Sequence, residues 1–383
     1  MTIPDDQSPC VASIVRCPPL SQLESEWREL EARADPPLFL SWAWIGTQAA
    51  EFGLPDYLAR LVRAGQVVGL ALFGYRRGRR VADWLRRPSL YLNETGDPRL
   101  DSVMTEYNGV MALGDCGQAT SALLKALVSP ESPSWRELHL SGVPDYWVDR
   151  CREHGLEVRL LRSPQPAPFA DFGDWEPGDP LRMLSRNRRQ QIRRSLRWFE
   201  RRGPVTLSRA TDTNEAIEWL EALEALHGTS WQARNKPGAF GNSRFGCFHR
   251  TLIQRSFGDG IPDLLCARAG SEVIGYLYNF LWRGWAYSYQ SGLRFEDDAD
   301  CRPGLVAHLL AMRRYQDEGR KGYRFLAGES RYKTSFATGN DVLLWMVAHR
   351  SDMSHRLEGY AREVYQVICR TVTGMRALPC PGR

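Results

Sequence analysis

Two adjacent residues, Tyr332 and Lys333, have side chains that suit proton donation and charge stabilisation. A tyrosine hydroxyl can protonate a leaving group as a general acid, and a lysine ammonium can hold an anion or a carboxylate. Lysine is scarce here, since it accounts for only four of the 50 basic residues. A lysine at this position is therefore more informative than in an ordinary sequence. A solvated surface lysine is the alternative.

The segment Arg302-Pro303-Gly304-Leu305 has the composition of a helix start that could bind an anion. Proline suits the first helical turn, and glycine lets the backbone approach a ligand closely. The free N–H groups at such a start, together with the helix dipole, suit a pyrophosphate. An ordinary helix start without a ligand is the alternative.

A third group of residues could recognise an acceptor. His227, Trp231 and Arg234 are spaced i, i+4 and i+7, so they share one face if their helix continues that far. Tyr287 and Tyr289 alternate along a predicted strand, which places both on one side of a sheet. We assign Tyr289 to the catalytic group and the other four to acceptor binding. Packed core aromatics with a polar rim are the alternative.

The charge of the chain is concentrated in one segment. The net charge is +5, but residues 182–202 contain nine arginines and one acid, Glu200, so the remainder is net negative. Arg186, Arg189, Arg193 and Arg197 form a stripe at helical spacing, which could meet a polyanion or be solvated. An acidic stretch at 296–300 could bind an amine, but more often such a loop is solvated, and Asp300 is then expected to cap the next helix.

Composition excludes several classes of protein. The chain has 383 residues, 43% of them hydrophobic and 11% aromatic, too many for a disordered chain. No apolar stretch is long enough to span a membrane, and the first residues do not resemble a signal peptide. The nine cysteines show no C-x-x-C pair or metal spacing, so we expect reduced thiols, no metal and a cytoplasmic protein.

Patterning predicts two α/β units joined by a linker. Residues 1–18 are predicted as a leader, 19–162 as the first unit, 168–350 as the second, and 351–383 as a C-terminal helix and tail. The proline-rich stretch 163–168 is the most linker-like part of the chain. Within each unit, strands of alternating apolar pattern are separated by amphipathic helices.

The two units share short sequence matches in the same order. Arg63-Ala64-Gly65 before an apolar strand corresponds to Arg268-Ala269-Gly270 before another. Gly142 and Tyr146 correspond to Gly328 and Tyr332. These matches predict an internal duplication. Trp147 follows the first tyrosine where Lys333 follows the second, so the second copy is the candidate for chemistry.

The order of these features resembles the GCN5-related N-acetyltransferase (GNAT) superfamily. The second half resembles in particular the acetyltransferases found beside exopolysaccharide and cellulose genes, which are similar to the tandem-domain Fem transferases. The resembling residues are His227-x-x-x-Trp231-x-x-Arg234, the loop 238–240, Arg302-Pro303-Gly304-Leu305, Glu318-Gly319 and Phe325-Leu-x-Gly328-x-x-x-Tyr332-Lys333. The clear match covers about 180–348, with a weaker one over 20–160. Arg324 departs from the family, which usually has an acid there.

The resemblance implies an α/β (α+β) fold of tandem GNAT-like units, each a mixed, mostly antiparallel sheet flanked by helices, the first unit degenerate. It implies that Arg302, Pro303, Gly304 and Leu305 cradle the pyrophosphate of acetyl-CoA or another acyl-CoA. The expected reaction is direct attack of an amine or hydroxyl on the thioester.

The expected acceptor is a small molecule or saccharide, in polysaccharide or cell-envelope biosynthesis, with no nucleic-acid partner. The oligomeric state and the general base are left open. Two alternatives stay open: a Fem-like transferase that uses aminoacyl-tRNA, and a non-catalytic scaffold of a polysaccharide-synthesis system.

Overall fold

A computed structural model describes residues 8–77, 88–103, 105–175, 181–182 and 184–350. The first half contains, in chain order, β1 (Val11–Arg16), α1 (Leu20–Arg33), α2 (Trp42–Phe52), β2 (Tyr57–Arg63), β3 (Gln66–Arg76), β4 (Ser89–Leu92), β5 (Met111–Ala112), α3 (Cys116–Val128), β6 (Glu137–Pro144), α4 (Trp147–Glu153) and β7 (Leu156–Leu160). No helix of the described residues has the length and apolar character that crossing a membrane requires.

The second half repeats this order after one inserted strand and helix. It contains β8 (Gln165–Asp171), α5 (Arg186–Glu200), β9 (Val205–Arg209), α6 (Thr213–Gln232), α7 (Ser243–Ser256), β10 (Pro262–Ala269), β11 (Glu272–Trp282), β12 (Trp285–Leu293), α8 (Pro303–Asp317), β13 (Gly322–Arg324), α9 (Arg331–Phe336) and β14 (Gly339–Arg350). Elements β9 to β14 therefore match the first half in order and type, except that the two-residue strand β5 has no counterpart. The fold is a tandem α/β repeat, as predicted.

The strands of both halves form one continuous, mostly antiparallel sheet. Its order is β1-β2-β3-β4-β6-β14-β8-β13-β12-β11-β10-β9, with β5 added to β3 and β7 to β14. Each half contains one parallel pair, β4 with β6 and β12 with β13, and a helix crosses over between the two strands of each pair. This crossover is the one place in each half where the chain must connect parallel neighbours.

The two halves join at the centre of the sheet through the pairings of β14 and β8. The last strand, β14, pairs with β6 and β7 of the first half and also with β8. The strand before the second repeat, β8, pairs with β13. The boundary predicted at 162–168 therefore corresponds to no break in the sheet.

Two predicted irregular segments are wrong in part. The expected leader contains edge strand β1, which pairs with β2 along its whole length because its residues alternate toward the sheet. The linker prediction at 163–168 fails because β8 begins at Gln165. Pro166 and Pro168 have no N–H group to donate, but on the side that faces β13 they only have to accept hydrogen bonds. Their carbonyls accept the N–H groups of Gly328 and Phe325. The predicted C-terminal helix lies outside the described residues.

A shared apolar core joins the halves. Helix α2 packs against α7, α1 packs on α2 and α6 on α7, and the buried residues of this core include Trp27, Trp44, Phe248 and Tyr278. Separate cores lie under α3 in the first half and under α5 and α8 in the second. The second half is therefore held on one face by the first, and this arrangement positions the site described next.

Candidate functional site

The parallel strands β12 and β13 separate after three residue pairs, the last being Tyr287 with Arg324. Beyond that point β12 continues to Leu293, whereas the segment after β13 turns away through Leu326, which has a positive φ of 61°. A register shift in the β11–β12 pairing leaves Tyr289 outside the regular ladder. Bulges of this kind re-aim side chains and free backbone groups. The result is a cleft between two diverging strands, with irregular backbone along one wall.

Helix α8 starts near this cleft without a side-chain cap. Pro303 occupies the first turn, and the preceding Arg302 is exposed and makes no side-chain capping bond. The N–H of Arg302 donates to Ser195 Oγ of α5 at 3.0 Å. The prediction that Asp300 caps this helix is wrong, because the helix begins three residues later. The uncapped start keeps the geometry expected for an anion site.

Most of the acidic stretch 296–300 is exposed, and two of its acids are held by residues of the arginine-rich segment. Arg202 pairs with Glu296, with a 2.7 Å bond from Nη2 to Oε2, and the Trp198 indole donates to Asp298 Oδ2 at 2.8 Å. The pKa of Glu296 is lowered, first by this bond to Arg202. Arg186, Arg193 and Arg197 of the predicted stripe remain exposed. Helix α5 thus fixes the loop that leads into α8.

Tyr332 and Lys333 lie on the short helix α9, beside the turn that follows β13. The Tyr332 ring stacks on His308 with centroids 4.8 Å apart, and burial raises the pKa of Tyr332 to about 12. Lys333 Nζ donates to the carbonyls of Leu326 at 3.1 Å and Ala327 at 2.9 Å. The structure therefore brings both residues to the point where the strands diverge, and neither side chain is simply solvated.

A buried carboxylate that the sequence analysis missed lies at the same turn. Glu106, from the loop before β5 of the first half, is 8% exposed. Its Oε2 accepts the Ala327 N–H at 2.7 Å. Burial raises the pKa of Glu106 to about 7, while the Ala327 N–H and the charges of Lys333 and Arg162 act in the opposite direction. No motif marks this residue, and its partners are distant in sequence.

The same first-half loop makes several further bonds to the second half. Asn242 Nδ2 donates to the carbonyl of Arg99 at 2.6 Å and to Ser102 Oγ at 2.8 Å. The Tyr289 hydroxyl donates to the carbonyl of Val103. This loop therefore forms a wall of the cleft, and it occupies the hydroxyl of the predicted catalytic Tyr289.

Tyr287 and Tyr289 share one face of the sheet, as predicted, and both lie in the shared core. Phe39 contacts both rings, with centroid distances of 6.4 Å. Burial raises the pKa of Tyr287 and places that of Tyr289 well above its usual value. Their surroundings are those of packed aromatics, in agreement with the alternative stated for them.

His227 and Trp231 share a face of α6, but the helix ends at Gln232, before Arg234. His227 Nδ1 donates to the Ser291 carbonyl at 3.2 Å, and its Nε2 accepts the Ala239 N–H at 3.4 Å. These two bonds require a neutral ring, and burial lowers the pKa of His227. Arg234 lies over the Trp231 ring at 5.9 Å. The three residues come together and fix the loop 238–240 against β12.

Arg324, which departs from the family pattern, joins the halves. Its Nη1 donates to Asp341 Oδ2 at 2.7 Å and to the Tyr107 hydroxyl at 3.1 Å. The guanidinium also lies over the Trp285 ring at 4.4 Å. The side chain is engaged on every side by structural partners, so it replaces the family's acid with an interface contact.

No metal cluster accompanies these groups among the described residues. Comparison with known proteins identifies a domain in the second half. Residues 186–334 match the model of an acetyltransferase (GNAT) domain, within the region of the predicted resemblance. None of the curated proteins matches the sequence significantly.

Solved structures resemble the fold over nearly the whole chain. FemX is 11% identical with a TM-score of 0.58, covering 93% of this chain and 99% of FemX. A conserved protein of unknown function from Bacteroides thetaiotaomicron is 10% identical with a TM-score of 0.51, covering 89% and 100%. L-PGS from Bacillus licheniformis is 11% identical with a TM-score of 0.50, covering 90% and 96%. Residues 186–334 therefore form a GNAT acetyltransferase domain, and the chain is an acyltransferase whose fold is similar to these structures over nearly its whole length.

Proposed function

We propose that this protein transfers an acyl group, acetyl in the simplest case, from coenzyme A to an amine or hydroxyl of a small-molecule or saccharide acceptor. The observation that carries this proposal is the cleft between β12 and β13, which opens beside the uncapped start of α8. A thioester arm fits between diverging strands, and helix N–H groups suit its pyrophosphate. Arg302, Pro303, Gly304 and Leu305 would bind that pyrophosphate.

The reaction proceeds by direct attack, with both substrates bound together. Proximity in the cleft provides much of the rate, and backbone N–H groups at the Tyr289 bulge are placed to polarise the thioester carbonyl. Tyr332 stays protonated at neutral pH because burial raises its pKa to about 12, so it can protonate the departing thiolate. Lys333 holds the turn at Leu326 and Ala327 on which this geometry depends.

We propose further that the second unit performs this chemistry and that the first is a degenerate copy. The biological setting we propose is polysaccharide or cell-envelope biosynthesis in the cytoplasm. The resemblance to acetyltransferases found beside exopolysaccharide genes supports the setting, and nine cysteines without a recognisable disulfide framework fit a reducing compartment.

Titration calorimetry with acetyl-CoA tests the donor. We expect one binding site per chain and, in a thiol-release assay, a Tyr332→Phe variant with unchanged affinity and a kcat reduced about 100-fold. Tyr146→Phe, at the matching position of the first half, is the control and keeps full activity. No heat at millimolar acetyl-CoA from folded protein contradicts the proposal. Unchanged turnover in Tyr332→Phe contradicts the residue assignment alone.

An aminoacyl-tRNA donor is the second candidate, and one observation favours it. Arg186, Arg193 and Arg197 are exposed along α5, where they could meet a phosphate backbone. A tRNA affinity that falls steeply with salt, and that Arg193→Gln with Arg197→Gln abolishes, would favour this donor over acetyl-CoA. Binding of acetyl-CoA with only weak, nonspecific tRNA affinity would exclude it.

A further inference from the structure

The carboxylate of Glu106 is supplied by the first half to the cleft of the second half. Its Oε2 accepts the N–H of Ala327, and the carbonyl of the same residue accepts from Lys333 Nζ. Ala327 lies between Leu326 and Gly328, which have φ values of 61° and 106°. Glu106 is therefore fixed at the turn where β13 leaves β12, where the proposed thioester would pass.

Three ionisable groups face this carboxylate, each from a different part of the fold. Lys333 approaches from α9 and Arg162 from the segment between β7 and β8, and both charges lower the pKa of Glu106. Tyr289 approaches from β12, and the Glu106 charge contributes to the raised pKa of its hydroxyl. Burial outweighs the two cations and brings the pKa of Glu106 to about 7. Both protonation states are therefore accessible near neutral pH, which is the condition for efficient general-base catalysis.

We propose that Glu106 is the general base for the acyl transfer, so that the active site is built from both halves. This inference rests on the proposed function. The Glu106 carboxylate takes the proton of the acceptor amine or hydroxyl as the nitrogen or oxygen lone pair bonds to the thioester carbonyl carbon. The carbon–sulfur bond then breaks, and sulfur leaves with its electron pair as thiolate. The thiolate receives one proton from Tyr332, which is reprotonated from solvent, and Glu106 returns its own proton to solvent.

The matched variants Glu106→Gln and Glu94→Gln test this assignment. Glu94 is a half-buried acid of the first half, and its Oε2 accepts from Ser141 Oγ at 2.8 Å. A glutamine at 106 can still accept the Ala327 N–H, so the fold is kept while the base is lost. We measure thiol release from acetyl-CoA with glucosamine as the acceptor probe, and with water alone, between about pH 5 and about pH 9.

We expect Glu106→Gln to lower kcat about 100-fold or more, with acetyl-CoA affinity within about threefold of the wild type. The wild-type rate falls as pH drops through about 7, because the base becomes protonated, and Glu94→Gln keeps this limb. Glu106→Gln loses the limb. A carboxyl infrared band that titrates near pH 7 and disappears in Glu106→Gln is expected in the free enzyme.

The outcomes separate this inference from the proposed function. Turnover that Glu106→Gln retains within about threefold, with the acidic limb intact, overturns the assignment of the base and leaves the acyl transfer in place. Absence of both acetyl-CoA binding and thiol release in the wild type overturns the proposed function, and the assignment with it. Absence of the infrared band shows that Glu106 does not titrate near neutrality, which also overturns the assignment.

Discussion

Gly142 and Gly328 occupy the same position in the two halves but have opposite surroundings. Gly142 lies in β6 beyond its residues paired with β4, Gly328 follows β13, and both have a positive φ, 64° and 106°. A Cβ added at Gly142 would lie 2.4 Å from the Thr105 carbonyl oxygen. At Gly328 the nearest atom would be Lys333 Nζ at 4.0 Å. In the first half the backbone of a loop fills the space that the second half leaves open.

The helices that follow these two glycines also differ between the halves. Trp147 of α4 is fully buried in the first-half core, whereas Lys333 of α9 turns back toward the carbonyls of the site. At the crossover helix, Asp115 accepts the N–H groups of Gly117 and Gln118 and so occupies the start of α3. The start of α8 has no such side chain. The two halves therefore share one framework, and in the first half the Thr105 backbone and the Asp115 carboxylate occupy the two places where we propose that the second half binds its donor.

The comparison also shows what the first half contributes to the second. The loop whose Thr105 backbone fills the space beside Gly142 next presents Glu106 and Tyr107 to the second half. In the proposed function, one loop therefore both fills the space beside Gly142 and completes the site of the second half. The first half is then a wall of the proposed active site.

The largest expected effect is the difference in stability between a variant at Trp147 and a variant at Lys333. Trp147→Ala removes a fully buried indole, so we expect about 3–5 kcal/mol of lost stability by denaturant unfolding. Lys333→Ala leaves two carbonyls without their donor and costs about 1 kcal/mol, but it abolishes most turnover. If Lys333→Ala is as unstable as Trp147→Ala, or retains full activity, the two positions do not differ as the comparison requires.

The glycine pair gives the next effect. Gly142→Ala forces a non-glycine residue into a left-handed conformation and against backbone, and we expect a cost of about 3 kcal/mol. Gly328→Ala has free space around its Cβ and costs about 1 kcal/mol, from backbone conformation alone. Thermal unfolding of both variants measures the difference. Equal destabilisation would show that the two surroundings are energetically alike.

The sequence predicted the repeat because its marks are local. A glycine required by a positive φ, the tyrosine four residues later and a proline at a helix start each leave a residue type that can be read directly. The position of Tyr332 and Lys333 at the end of β13 followed from these marks.

Features that depend on distant partners could not be predicted in this way. Strands β8 and β14 belong to the centre of the sheet only because β14 pairs with β6 and β7 of the first half while β8 pairs with β13 and β14. Glu106 is functional in our proposal because Ala327, 221 residues away, meets it. Charge patterning predicted the stripe whose Arg186, Arg193 and Arg197 are exposed, but it could not predict that Arg202 and Arg194, outside the stripe, pair with acids of a loop that is distant in sequence.

A smaller effect concerns Glu94, the half-buried acid of the first half. Burial, aided by Asp101, raises the pKa of Glu94 to about 8, above the unfolded value of about 4.3. The folded state therefore binds a proton that the unfolded state releases, and stability falls as pH rises from about 4 to about 8. We expect Glu94→Gln to be on the order of 2 kcal/mol more stable than the wild type at pH 8, a value discounted for partial exposure, with little difference near pH 4. If the unfolding free energies of the wild type and Glu94→Gln change with pH in the same way, Glu94 does not titrate in this range.

The smallest effect tests whether the first half can be reopened. Asp115→Ala removes the carboxylate that caps α3, and we expect a loss of about 1 kcal/mol in unfolding free energy. The freed helix start still faces a half in which Thr105 fills the space beside Gly142, so acetyl-CoA should bind with an unchanged stoichiometry of one per chain. Calorimetry measures the stoichiometry, and Arg302→Ala, at the matching start of α8, is the companion variant that should weaken the single site. A second acetyl-CoA bound by Asp115→Ala would mean that one carboxylate alone closed the first half, and that the loop bearing Glu106 evolved independently of that closure.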